Sequence, residues 1–72
     1  MKVIRRKERS QKGSNGFDYV YYLVDEGNQE KEIGRSYWSS VAIMLGASNE
    51  YEKGLRDLLK ALGMDDIERE SK

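Results

Sequence analysis

Residues 17–24 read Phe-Asp-Tyr-Val-Tyr-Tyr-Leu-Val, and this run constrains the fold more than any other stretch. Aromatic and β-branched side chains suit a pleated, half-buried surface, so the run predicts a strand. At a two-residue period, Phe17, Tyr19, Tyr21 and Leu23 share one face, while Asp18, Val20, Tyr22 and Val24 share the other. Such a strand needs cover on at least one side and neighbours along both edges. Turn-forming residues bound it: a cluster at 10–16 that includes Asn15-Gly16, a hairpin signal, and Asp25-Glu26-Gly27-Asn28 after it. Residues 2–9 mix Val3 and Ile4 with long basic side chains and predict a first strand. Residues 30–36, around Ile33, predict a third, more polar one. Short loops between three successive strands predict an antiparallel meander.

The second half changes period. Ser36 or Ser39 can cap a short helix through Leu45, with Trp38, Val41, Ala42 and Leu45 at helical spacing and Gly46 ending it. Asn49 followed by Glu52 resembles a capping box. Tyr51, Leu55, Leu58, Leu59 and Leu62 then form a stripe that predicts an amphipathic helix, closed by Gly63, with Met64 making the apolar contact of a Schellman turn.

These elements predict an α+β fold, a small three-stranded antiparallel sheet in β-β-β-α-α order packed against the C-terminal amphipathic helix. The expected domain is 1–64, with 65–72 a charged, frayed tail. A sheet with an apolar face needs a covering layer, and the leucine stripe supplies it. The expected core is Val3 or Ile4, Phe17, Tyr19, Tyr21, Leu23, Ile33, Trp38, Val41, Leu45 and the leucines. That leaves Val20, Tyr22 and Val24 partly exposed, as a surface for a second subunit or another protein. A core this small supplies only ~3–5 kcal/mol without staples, and the chain has no Cys for a disulfide.

Charge gives the functional signal. The first twelve residues hold six of the thirteen basic side chains against one acid, so they carry +5 and the remaining sixty carry −5. A net charge of zero thus conceals a dipolar chain, and a basic end predicts an anionic partner. Arg5, Lys7 and Arg9 share a strand face, with Arg6 on the other. Residues on one face repeat at ~6.6–7 Å, close to the spacing of phosphates along a strand. The expected nucleic-acid contacts are Arg5, Arg6, Lys7, Arg9 and Lys12, with Tyr21 and Tyr22 on the same sheet able to stack on bases. DNA is expected in preference to RNA. The alternative is an edge strand that uses charge to block edge-to-edge pairing, in a protein-interaction module that binds through the sheet edge or the Val20, Tyr22, Val24 face.

No catalytic grouping emerges. The chain has no His and no Cys, its serines lack a nearby base, and its adjacent carboxylates fall in turn or tail positions. No cofactor or metal is expected, and the reading is not an enzyme. No apolar run approaches the ~20 residues of a membrane span, and no charged-then-apolar leader opens the chain, so a cytoplasmic, intracellular protein is expected. Residues 41–48, with Ala42 and Gly46 four apart, resemble the first helix and turn of helix-turn-helix proteins, but Glu52 stands where that family has an apolar residue. In element order and charge alone, the chain looks like the small arm-site DNA-binding domains of tyrosine recombinases, where the sheet enters the major groove.

Overall fold

The computed structural model describes residues 1–10, 16–39, 45–46 and 49–70. The strands are β1 (Lys2–Arg9), β2 (Gly16–Val24), β3 (Glu30–Ser39) and β4 (Glu68–Arg69), with one helix among the described residues, α1 (Glu50–Ala61), between β3 and β4. The fold is α+β. The sheet has four strands in the order β3-β2-β1-β4, not three, and it is mixed: β1–β2 and β2–β3 are antiparallel, whereas β4 runs parallel to β1. The expected frayed tail therefore contains a strand, preceded by the buried side chain of Ile67.

β1 and β2 pair from Lys2 opposite Val24 to Arg9 opposite Phe17. The β2–β3 turn is closed by Asp25, whose side chain accepts from the Gly27 and Gln29 amides at 2.9 and 3.0 Å, while Asn28 takes a positive φ of 62°. Of the turn expected over 10–16, Gly16 belongs to β2 instead, and residues 11–15, with Lys12 and Asn15, lie outside the described residues. β3 is three residues longer than expected, so Tyr37, Trp38 and Ser39 belong to a strand and not to a helix. The other positions of the expected first helix, 40–44, lie outside the described residues. A register shift beside Tyr21 and Tyr22 leaves Ile33 without a partner on β2, and this expected core residue is exposed.

α1 follows its sequence signals at both ends. Asn49 caps it, its side chain accepting from the Glu52 amide at 3.0 Å. At the other end Met64 N–H reaches Leu59 O at 2.9 Å and Gly63 N–H reaches Lys60 O at 3.1 Å, with Gly63 at φ 71°: a Schellman turn. Its buried face is not the expected stripe, however. Leu59 is buried and Leu55 partly so, but Leu58 and Leu62 are 55% and 64% exposed, and Leu45 is also exposed. Glu52, which is no part of the apolar stripe, is buried.

The core joins Val3, Tyr21, Leu59 and Ile67, with Tyr19, Leu23, Leu55 and Met64 packed around them. Gly34 leaves room for α1 to close on the sheet, since a Cβ there would collide with the Tyr51 hydroxyl. The Tyr51 ring instead lies 5.2 Å from that of Tyr21.

The opposite sheet face is closed within the single chain. Val20 is fully buried, and Ile4 and Val24 nearly so. In the ladder Val20 lies between Arg6 and Arg35, and Val24 between Lys2 and Glu30. Arg35 bonds to Asp18 and Glu32, both at 2.8 Å, and Arg6 bonds to Glu30 and Glu70. The aliphatic stems of such residues can cover apolar surface while their heads pair with carboxylates. The expected exposed surface at Val20, Tyr22 and Val24 is therefore absent: two of the three are buried, and Tyr22 is half-buried.

Candidate nucleic-acid interface

Alternation along β1 puts Arg5, Lys7 and Arg9 on the face toward α1, and Lys2, Ile4, Arg6 and Glu8 on the other. The two groups meet different fates, because the acidic half of the chain folds back onto part of the basic strand.

Arg5 is drawn into the interior. Its Nη1 donates to Glu52 Oε1 at 2.7 Å, and its guanidinium sits 4.0 Å from the centre of the Tyr19 ring. Glu52 Oε1 also accepts from the Tyr21 hydroxyl at 3.0 Å, and that hydroxyl accepts from Asn49 Nδ2 at 3.0 Å. Arg69 Nη2 lies 3.6 Å from Glu52 Oε2. Two expected ligand-binding residues, Arg5 and Tyr21, thus bind the N-terminal turn of α1 to the sheet. Tyr21 is fully buried and presents no face to a base.

Arg6 is held twice. Its guanidinium bonds to Glu30 at 3.0 and 3.1 Å and to Glu70 at 3.0 and 3.1 Å, and it lies over the Tyr22 ring. Its pKa is raised by the bonds to Glu30 first and to Glu70 next. The Tyr22 hydroxyl donates to Glu8 Oε2. Lys2 pairs with Glu68 at 3.2 Å.

Lys7 and Arg9 remain. Both are exposed, and neither has a carboxylate partner among the described residues. Lys7 Nζ stands 4.2 Å from the centre of the Phe17 ring. The ladder sets Arg9, Phe17 and Trp38 in one cross-strand row and Lys7, Tyr19 and Ser36 in the next. Phe17 meets Tyr19 edge-on at 4.9 Å and 73°, and Tyr19 meets Trp38 at 6.4 Å and 61°. The three rings form a half-buried strip flanked by Lys7 and Arg9. The Trp38 indole N–H is buried and has no hydrogen-bond acceptor among the described residues.

Of the expected contact residues, the fold thus leaves Lys7 and Arg9 available, takes Arg5, Arg6, Tyr21 and Tyr22 into internal bonds, and places Lys12 outside the described residues. Phe17 and Trp38 join the site from positions read as core and as helix. The Asn15-Gly16 signal would set Phe17 opposite Ser14, so the row that joins Arg9 to Phe17 was not legible in the sequence, and Trp38 entered only with the extension of β3.

The buried Tyr21 and half-buried Tyr22 phenols make a testable pair. Burial above all, with Glu52 adding to it, raises the Tyr21 pKa; Asn49 acts against this. Tyr22 is raised by its bond to Glu8 and then by burial. A phenol with a raised folded pKa contributes stability in full below its unfolded value, ~10, and loses it as pH climbs toward the folded value. Spectrophotometric titration should therefore show two of the five tyrosines ionising late, together with alkaline unfolding. Tyr21→Phe and Tyr22→Phe should each remove one late step.

Among the described residues no cluster of three or more His, Cys, Asp or Glu side chains could hold a metal ion. No helix among them is long and apolar enough to cross a membrane. Compared with protein-family models, curated proteins and solved structures, the chain matches none.

Proposed function

We propose that this chain is a small, non-catalytic nucleic-acid-binding module that uses the Lys7–Arg9 end of its sheet. One observation carries the reading: the two cations of β1 that lack a carboxylate partner among the described residues stand in the same cross-strand rows as Phe17, Tyr19 and Trp38. Lys7 and Arg9 contact phosphates, and the aromatic strip meets bases or sugars. Cations beside ring faces are how sequence-tolerant single-strand binders work, so single strands are the favoured ligand.

A salt titration of binding to single- and double-stranded oligonucleotides tests this. Lys7→Glu with Arg9→Glu should weaken binding to all sequences and flatten the single-strand salt slope by about 1.4, at ~0.7 per phosphate. Tyr19→Ala should cost ~1–3 kcal/mol on single strands. Lys53→Ala and Arg56→Ala, on the helix, should leave affinity nearly unchanged. Absence of binding even at low salt would overturn the reading.

A protein-interaction role has one observation in its favour, on a surface the sequence did not suggest. Leu58 and Leu62 lie one turn apart on the outer side of α1, and both are exposed.

A further inference from the structure

We propose that the cleft between one side of α1 and the turn that follows it binds a small amphipathic carboxylate, at a site separate from the one proposed for nucleic acid. The cleft has a volume of about 620 Å³, inside the ~300–1,000 Å³ range of small-molecule pockets. No residue of the sheet site lines it.

Helical spacing builds one wall. Lys53, Arg56 and Lys60 fall at i, i+3 and i+7 and so share a side of α1, away from the exposed Leu58 and Leu62. From Lys53 to Lys60 this wall runs about 10 Å along the axis, at ~1.5 Å per residue. The Schellman turn at Gly63 folds the chain back, so that Met64 and Asp66 supply the opposite wall. The floor is apolar: Leu59 is buried, and Met64 is half-buried against the core.

The charges around that floor do not balance. Arg56 bonds to Asp66 at 3.0 and 3.1 Å, and Asp66 also accepts from the Ile67 amide at 2.8 Å. That pair is spent on holding the turn to the helix. Asp57 is left against Lys53 and Lys60, which are both exposed and have no carboxylate partner among the described residues. A surplus cation therefore stands over an apolar floor. A carboxylate set between the lysine heads meets that charge, and a short hydrocarbon body lies over Leu59 and Met64. A neutral apolar molecule would leave the lysines unused, and a bare inorganic anion would leave the floor wet. The carbonyls at the end of α1, whose partial negative charge would repel an anion, are already engaged by the Leu62, Gly63 and Met64 amides.

Hexanoate is the probe, followed by methyl and amide NMR on the full chain. It should shift the Leu59 and Met64 methyls saturably. Lys53→Gln/Lys60→Gln, at two exposed positions, should weaken binding roughly three- to tenfold. Lys2→Gln/Lys31→Gln, which removes the same charge from exposed lysines outside the cleft, should leave binding unchanged. Acetate keeps the charge but lacks the chain, and should bind more than about tenfold more weakly. Hexanol keeps the chain but lacks the charge, and should bind about as weakly as hexanoate binds the Lys53/Lys60 variant. If that variant binds hexanoate as tightly as the native chain, or if the shifts fall on the Leu58 and Leu62 methyls instead, the anion site is refuted. If acetate matches hexanoate, the apolar floor takes no part and the ligand class is wrong. The absence of any saturable shift removes the proposal and leaves the nucleic-acid reading untouched.

Discussion

Glu52→Ala is expected to cost about 3–5 kcal/mol, the figure for removing one partner of a buried ion pair. A domain of this size has only ~3–5 kcal/mol to lose, so much of the population should unfold. The change leaves Arg5 beneath α1 without its carboxylate and takes from the Tyr21 hydroxyl its acceptor. It also removes the side chain that joins β1, β2 and α1 at one oxygen. Urea unfolding followed by Trp38 fluorescence measures the effect. Arg5→Met/Glu52→Leu is the informative companion, because replacing a buried pair by apolar residues of similar volume is often neutral or stabilising. If Glu52→Ala unfolds at the native midpoint, the network does not hold the helix.

Leu59→Ala should be nearly as damaging, at about 2–5 kcal/mol for a buried leucine cut to alanine, whereas Leu58→Ala should stay within ~0.5 kcal/mol. The two are adjacent in the chain and identical in chemistry, but Leu59 is 4% exposed and Leu58 55%. Equal losses from both would mean that the outer side of α1 is covered in solution.

That contrast shows why the leucine stripe was misleading. A helix packed on a narrow sheet buries only a thin band, here Glu52, Leu55 and Leu59 at i, i+3 and i+7. Its rotation is set by partners distant in sequence: Arg5 and Tyr21 draw Glu52 inward, and Gly34 admits Tyr51. Periodicity reports apolar residues and cannot report that a glutamate has an arginine waiting for it.

Local chemistry was legible. The bounds of β1, the aromatic β2, the Asp25 turn, the Asn49 cap and the Gly63 stop are each decided by residues within a few positions of one another. The unexpected features depend on long-range pairing. β3 continues through Trp38 because β2 offers partners as far as Gly16. Ile33 is displaced by a register shift that alternation does not encode. The charge asymmetry was real, but its first use is internal: Glu52, Glu68 and Glu70, all from the acidic end, satisfy Arg5, Lys2 and Arg6. For the candidate site this leaves Lys7 and Arg9, which no acid among the described residues reaches.

The pairing of β4 with β1 also dictates an order of assembly. The β2–β3 turn spans only a few residues, whereas Arg6 and Glu70 are 64 apart. The entropy of closing a loop grows with its length, so the meander forms early and the last strand docks at the end. Contacts made after the folding barrier set how fast a protein opens and leave its folding rate almost untouched. The lifetime of the native state is therefore governed at the edge of the sheet, by Ile67 and its neighbours, while the speed of folding is decided in the hairpins.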